Sequence, residues 1–250
     1  MTRSRAQELH TAFTRALTDA PRRAPLGGGW LPDRLAQACV QVLPISGAGV
    51  SVTFTADRRL PVGAANPPSA VAERLQFTLG DGPCFSTERT RRSVCASDQE
   101  LSRRWPRYWA KLQSATPFRS VVCLPVGGPL AHFAALSLFF AQPQGAAALE
   151  PTDAVLVADL VSRCLADDLT GSQMAATGDV SPGRPAWLAT PSIDQRQLVW
   201  QAIGLLNGQN NTTSEKSMAA LRERAATRGI DVETAASQVL DEERPTARND

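Results

Sequence analysis

Residues 171–186 contain few large apolar side chains, and this gap separates two parts of the chain with different hydrophobic patterns. Before the gap, apolar residues follow helical spacing in some segments and strict alternation in others. After the gap, every apolar pattern has the three- and four-residue spacing of a helix. A stretch that cannot contribute to a core is typical of a linker. The sequence therefore predicts an α/β (α+β) domain followed by an all-helical one.

A chain of 250 residues is long enough for two modest domains. The boundaries follow from where the apolar patterns begin and end. We predict an N-terminal helix and linker at 1–29, an α/β domain at 30–169, a linker at 170–191, a three-helix domain at 192–241 and a flexible tail at 242–250.

Strands in the first domain are predicted from alternation: Val50 and Val52 share one face, as do Leu136 and Leu138. Proline and glycine clusters interrupt the helical patterns. The predicted elements are helices at 4–19, 31–43, 68–76 and 151–169, strands at 49–55, 59–65, 121–126 and 134–140, and a mostly irregular stretch at 81–117. The strand at 59–65 is the expected hairpin partner of the one at 49–55.

The C-terminal domain shows helix-capping patterns. Ser192 with Gln195 and Thr212 with Glu215 fit the capping box, and Asp231 fits an N-cap. The expected inward-facing residues of the first helix are Leu198, Ala202, Leu205 and Leu206, with Asn207-Gly208 ending that helix and Gly229 ending the second. Three short capped helices in so few residues predict a small bundle.

Charge and hydropathy exclude some classes of protein. The net charge is +2, from 26 basic and 24 acidic residues, which gives no overall attraction to nucleic acid or anionic lipid. No apolar run approaches the roughly 20 residues that span a bilayer. The N-terminal segment lacks the apolar region of a secretory signal. We expect a cytoplasmic protein.

Catalytic patterns are lacking from the sequence. His10 and His132 are the only histidines, and the five cysteines include no C-x-x-C pair. No phosphate-binding glycine motif is present. A Cys123–His132 pair across neighbouring strands is conceivable, although such residues more often face different layers. We therefore expect no catalytic residues, no metal site, no cofactor and no enzyme activity.

Cys84 and Cys95 lie close to the glycine turn at Gly80 and Gly82. Two interpretations are open: a redox- or ligand-sensing thiol site, or small buried hydrophobic residues, which is the commoner fate of free cysteine. The stretch 89–119 has a similar ambiguity, with eight basic and two acidic residues. Its Trp105, Tyr108 and Trp109 either stack on nucleic-acid bases or, more commonly, pack over the sheet.

The stretches Gln201-Ala-Ile-Gly-Leu-Leu206, Leu221-Arg222-x-x-Ala225 and Ala235-Ala236 resemble the ANTAR domain over roughly 193–240. That family is a three-helix RNA-binding module of bacterial transcription antiterminators. The resemblance, together with the basic residues of the region, implies an RNA-binding surface formed by Ala202, Gly204, Lys216, Arg222, Arg224 and Arg228.

Two positions depart from the ANTAR pattern: Ile203 stands where the family has lysine, and Ser217 where it has alanine. Five basic and five acidic residues within 193–240 make the region neutral, whereas nucleic-acid binders usually carry a basic patch. If the module binds RNA as its family does, Ile203→Lys is expected to strengthen binding and Arg222→Ala to weaken it.

The first domain resembles the GAF domains that are fused to ANTAR modules in actinobacteria. The match covers roughly 30–168 and implies an antiparallel sheet with helices on its faces, in some members enclosing a small-molecule pocket. It rests on Leu79-Gly-Asp-Gly-Pro-Cys84, Ser93-Val-Cys-Ala-Ser-Asp98, Arg104-Trp-Pro-Arg-Tyr108, Phe118-Arg-Ser-Val-Val-Cys-Leu-Pro-Val126 and Ala135-Leu-Ser-Leu-Phe139.

Together the two resemblances imply a signal-responsive regulator, active as a homodimer, that binds structured leader RNA hairpins in transcription antitermination. Its GAF-like domain would sense a small molecule, a redox state or a partner. The alternative is a sensor or dimerisation adaptor that acts through protein–protein contacts, its helical module having lost RNA binding. Ile203 and the neutral charge favour that alternative.

Overall fold

The computed structural model describes residues 3–20, 30–53, 59–130, 133–174 and 191–242. The chain divides into two compact units, Met1–Ala189 and Thr190–Asp250. The helices of the first unit are α1 (Arg3–Asp19), α2 (Leu31–Val42), α3 (Pro67–Leu79), α4 (Pro83–Thr90), α5 (Asp98–Arg104), α6 (Pro106–Ala115), α7 (Gly145–Ala148) and α8 (Pro151–Met174). Its strands are β1 (Gly47–Thr53), β2 (Arg59–Ala64), β3 (Val94–Ala96), β4 (Ser120–Pro125) and β5 (Ala134–Phe140).

The five strands form one antiparallel sheet in the order β2-β1-β5-β4-β3. The predicted hairpin is confirmed, because β1 pairs directly with β2. At the centre of the sheet, Ser137 of β5 lies opposite Gly49 of β1 on one side and opposite Cys123 of β4 on the other. The antiparallel sheet with helices, which the sequence predicted, is therefore present.

The two faces of the sheet differ in polarity because successive side chains point to opposite sides. Val50, Leu124, Leu136 and Leu138 share one face and are buried. Helices α2 and α8 contact strands of this sheet, as do α3 and α4. The other face combines the small or polar residues Gly49, Cys123 and Ser137 with Phe139, whose ring stacks on Phe118 with ring centroids 4.9 Å apart.

The prediction of a mostly irregular stretch at 81–117 is wrong, since it holds α4, β3, α5 and α6. Pro83 and Pro106 begin α4 and α6, at helix positions where a missing N–H costs nothing. Ser97 and Glu100 form a complete capping box at the start of α5. Prolines at the first helical position and a capping box are therefore the local sequence features that mark these three helices.

The second unit contains α9 (Pro191–Asn210), α10 (Ser214–Arg228) and α11 (Val232–Glu242), and each helix contacts the other two. The prediction of three helices is confirmed. Gly229 ends α10 with a φ of 66°, and the Asp231 carboxylate accepts a hydrogen bond from the Thr234 N–H at 2.7 Å. Both caps match the predicted ones.

Two predicted helix ends in this unit are wrong. Asn207 and Gly208 lie inside α9, which continues to Asn210 and is followed by Asn211 at a positive φ of 46°. Asparagine tolerates this left-handed conformation, so it takes the place expected for glycine. The N-cap of α10 is Thr213, whose hydroxyl accepts from the Lys216 N–H, and not Thr212.

Helix α8 continues to Met174, five residues beyond its predicted end at 169 and into the predicted linker. The rest of that linker, His132 of the considered Cys123–His132 pair, and nearly all of the predicted tail lie outside the described residues. Among the described residues, no helix is both long and apolar enough to cross a membrane.

Candidate functional site

A group of polar side chains is buried between the sheet and the helices α3, α4 and α6. Residues directly opposite each other in neighbouring strands share a face, so Gly49, Cys123 and Ser137 lie together. We call the group the buried polar cluster; its members are Arg59, Glu73, Gln76, Cys84, Tyr108, Cys123 and Ser137, all of which are buried.

An ion pair lies within this cluster. The Arg59 Nη2 donates to the Glu73 Oε2 at 2.6 Å, and each side chain is 1% exposed. Glycine at position 49 makes room for it, because a Cβ there would lie 2.5 Å from the Glu73 Cγ. The guanidinium also lies over the Phe85 ring, 5.3 Å from its centroid. Each of the two buried charges thus has the other as its main compensation for the loss of hydration.

Two thiols meet beside the ion pair. The Cys84 Sγ lies 2.9 Å from the Ser137 Oγ, and the Cys123 Sγ donates to the same oxygen at 3.7 Å. The Ser137 hydroxyl is thus the shared hydrogen-bond partner of both thiols. The Cys84 N–H, near the start of α4, donates to the Gln76 Oε1 at 2.8 Å. Helix α4 and strands β4 and β5 therefore fix the thiol pair from different parts of the chain.

The thiols of this pair differ in acidity. The hydrogen bond with Cys123 and the positive charge of Arg59 lower the pKa of Cys84 in spite of its burial. Burial raises the pKa of Cys123 well above its ordinary value, and the bond with Cys84 raises it further. Burial, followed by the charges of Glu73 and the thiols, likewise raises the pKa of Tyr108. Cys84 is thus the thiolate candidate of the pair.

Several buried polar atoms of the cluster have no hydrogen-bond partner among the described residues. They are the Arg59 Nε and Nη1, the Glu73 Oε1, the Gln76 Nε2 and the Tyr108 hydroxyl. Buried polar groups are nearly always paired, with protein or with ordered water. These groups are three donors and one acceptor from Arg59, Gln76 and Glu73, together with one hydroxyl that can do either. Within the described ranges, no group of three or more His, Cys, Asp or Glu side chains could hold a metal ion.

Cys95 does not belong to this cluster, although the sequence analysis paired it with Cys84. It is exposed and lies opposite Val122, which places it on the other face of the sheet from Cys123. The partner that sequence reasoning missed is Cys123. The sequence could have indicated it, because Cys123 and Ser137 lie near the middle of two strands that were predicted to be neighbours.

The aromatic residues of the arginine-rich stretch pack into the core. Trp105 and Tyr108 are buried, and the Trp109 Nε1 donates to the Asp98 carboxylate at 3.0 Å. Arg104 lies over the Trp105 ring, 4.3 Å from its centroid. Buried rings cannot stack on bases, so the interpretation of these residues as packing over the sheet is confirmed, with helices α5 and α6 in place of a loop.

The candidate RNA-binding residues of α9 have different environments. Ala202 is fully buried, and Ile203 is 2% exposed. Gly204 is exposed, and a Cβ there would meet no atom within 4 Å. The inward face of α9 is formed by Val199, Ala202 and Ile203, whereas the predicted inward residues Leu198, Leu205 and Leu206 are half-buried. The position where the ANTAR pattern has lysine is therefore a core position in this chain.

The candidate basic residues of α10 point in several directions. Successive residues of a helix are rotated by about 100° around its axis. Viewed along α10, Arg224 and Arg228 are rotated by about 80° and 120° from Lys216 in one direction, and Arg222 by about 120° in the opposite direction. Arg224 forms an ion pair with Glu242, and the Arg228 Nη1 donates to Gln238 at 2.5 Å. Lys216 is exposed, and Arg222 is half-buried. Their spacing along α10 does not gather them on one side of that helix.

The second departure from the ANTAR pattern has a structural explanation. The Ser217 hydroxyl donates to the Asn207 Oδ1 at 2.7 Å, and the Asn207 amide donates to the Ser214 Oγ at 3.0 Å. Ser217 is 2% exposed. An alanine at this position could not make the bond that joins α9 to α10.

Comparison of the sequence with protein family profiles and with curated proteins finds no match. Comparison with solved structures finds similar GAF domains. One, from an Acinetobacter phosphoenolpyruvate-protein phosphotransferase, has 12% sequence identity and a TM-score of 0.43, covering 72% of this chain and 100% of that one. Another, from a phosphoenolpyruvate-protein phosphotransferase of Coxiella burnetii, has 9% identity and a TM-score of 0.47, covering 66% and 95%.

Proposed function

We propose that this protein is a signal-responsive, non-enzymatic regulator. Its α/β unit is a GAF-like sensor, and its α9–α11 bundle is an ANTAR-like module that binds structured RNA in transcription antitermination. The order of the sequence motifs and the presence of a sheet unit followed by three helices support this assignment. A cytoplasmic homodimer is the form we expect to act.

The observation that carries the output role is the outer face of α9. Gly204 and Gly208 lie four residues apart on this face, both exposed, with no atom within 4 Å of a Cβ at either position. Glycine inside a helix costs about 1 kcal/mol relative to alanine. Nothing within the described part of the chain requires glycine there, which favours close approach by an external partner.

RNA binding is tested by an electrophoretic or filter assay with tandem-hairpin leader RNAs at two salt concentrations, with the protein reduced and oxidised. Gly204→Leu is expected to weaken binding by placing a bulky side chain on the glycine face. Gln209→Leu is the matched control, because Gln209 is an exposed residue of the same helix that lies away from that face. Lys216→Ala is expected to reduce the slope of log K against log salt by about 1 if Lys216 contacts phosphate.

Salt-independent binding, or no binding in any state, would contradict an RNA-binding role. Arg222→Ala is also expected to weaken binding, but Arg222 is half-buried and its loss changes packing as well. Lys216 is exposed and so gives the cleaner result.

The second candidate function is a sensor and dimerisation adaptor. The dispersed basic residues of α10, with Arg224 and Arg228 bonded to α11, favour it. In that case Gly204→Leu would weaken self-association, measured by analytical ultracentrifugation of the full chain, and no variant would change RNA retention. The same pair of variants thus separates the two functions.

A further inference from the structure

We propose that Cys84 and Cys123 form a peroxide-responsive dithiol that closes to an intramolecular disulfide, making hydroperoxide the signal of the α/β unit. This inference rests on the sensor part of the proposed function and names the class of molecule sensed. Cys84 and Cys123 are the pair that the fold brings together, whereas the sequence analysis pointed to Cys84 and Cys95.

Geometry supplies the first argument. Both sulfur atoms contact one oxygen, the Ser137 Oγ, at 2.9 Å and 3.7 Å. They belong to α4 and β4, which are in contact. A disulfide joins two sulfur atoms at about 2.05 Å, and here the two sulfurs already contact the same oxygen from contacting elements.

Electrostatics supplies the second argument. The thiolate is the form that attacks a peroxide. The Cys123 thiol and the positive charge of Arg59 both lie near Cys84, and both lower its pKa. Glu73, Glu88 and Tyr108 are the other titratable groups near Arg59 and the thiols. The charge of Glu73 opposes the thiolate but is itself bonded to Arg59.

Several polar atoms of the same cluster have no hydrogen-bond partner within the part of the chain that the structure describes. The Arg59 Nε and Nη1 and the Tyr108 hydroxyl are buried donors, and the Glu73 Oε1 is a buried acceptor. Hydrogen peroxide is close to water in size, and it both donates and accepts hydrogen bonds. It can therefore pair with both kinds of group that this cluster leaves over among the described residues.

The chemistry balances without a further reagent. The Cys84 thiolate attacks one peroxide oxygen, the O–O bond breaks, and the departing hydroxide takes a proton to become water. Cys84 is then a sulfenic acid. The Cys123 sulfur attacks the Cys84 sulfur, the S–O bond breaks, and the Cys123 proton leaves with that oxygen as a second water. The two sulfurs lose two electrons, and the peroxide oxygens gain them.

The test uses the full-length protein, treated with hydrogen peroxide while folded and mapped by mass spectrometry. We expect two of the five thiols to be lost, a linked Cys84–Cys123 peptide, and full recovery with dithiothreitol. Cys123→Ser is expected to stop at a sulfenic acid on Cys84 that a 1,3-dione traps. Cys95→Ser is the matched control and should leave the linked peptide unchanged.

Oxidation confined to Cys95, disulfides between chains, or thiols that react only after denaturant is added would each overturn the proposal. The peptide map of the oxidised wild-type protein tests the disulfide even if a variant with a substitution in the core fails to fold. A linked peptide without RNA binding in either redox state would uphold this inference and remove the RNA-binding function. RNA binding without a linked peptide would uphold the RNA-binding function and overturn the dithiol proposal.

Discussion

Arg59 and Glu73 form a salt bridge inside the α/β unit, with 2.6 Å between the Nη2 and the Oε2 and each side chain 1% exposed. Attraction between buried charges offsets their loss of hydration only while both are present. The pair therefore holds β2 against α3 and places a positive charge beside Cys84. Stability and the reactivity of the thiols both depend on it.

Removing one charge of this pair is expected to be costly. Glu73→Gln leaves the Arg59 charge buried without its counter-ion, and we expect a loss of about 3–5 kcal/mol in the free energy of unfolding. The matched control is the double variant Arg59→Met with Glu73→Leu, which removes both charges and should recover most of that loss. Urea unfolding measures both, and a double variant no more stable than the single one would contradict this account.

Gly49→Ala tests the close approach of α3 to the sheet. The new Cβ would lie 2.5 Å from the Glu73 Cγ, and the ion pair prevents Glu73 from moving away. We expect a loss of about 1–3 kcal/mol, as for other overpacked cores. Gly204→Ala is the matched control: it adds a methyl group in open space on a helix and should gain about 1 kcal/mol. Amide hydrogen exchange reports each unit separately; equal effects at the two glycines would refute the packing argument.

Ile203→Lys is expected to unfold the bundle, contrary to the sequence-based expectation that it would strengthen RNA binding. Ile203 is 2% exposed, so a lysine there would bury an unpaired charge. The loss should be at least the roughly 2–5 kcal/mol of truncating a buried isoleucine. Ile203→Val should cost about 0.5–1.5 kcal/mol. Hydrogen exchange in 191–242 checks this, and native-like protection in Ile203→Lys would show that the position tolerates the cation.

The capping box of α5 gives a prediction about pH. The Glu100 carboxylate accepts from the Ser97 N–H at 2.9 Å, and this bond lowers its pKa. A lowered folded-state pKa means that the stabilisation is complete above the unfolded value of about 4.3 and is lost as pH falls through the folded value. The stability difference between wild type and Glu100→Ala should therefore shrink in acid. The neighbouring exposed Gln99→Ala should show a difference that does not change with pH.

Local patterns explain why much of the fold was predictable. Alternation located β1, β4 and β5, and the caps at Asp231 and Gly229 depend on residues adjacent in sequence. The failure at 81–117 also concerned local signals, because Pro83 and Pro106 begin helices in a stretch that was predicted to be mostly irregular. Ile203 was compared with the lysine that the ANTAR pattern has at this position. The structure shows that Ile203 instead lies on the buried face of α9 with Val199 and Ala202.

The sequence by itself determined that a mixed sheet-and-helix part precedes three helices, because hydrophobic period and capping are properties of neighbouring residues. Only the tertiary structure decided which distant residues meet. It paired Cys84 with Cys123 instead of Cys95, and Arg59 with Glu73. Strand order and the packing of α3 and α4 set those contacts, and no local pattern encodes them.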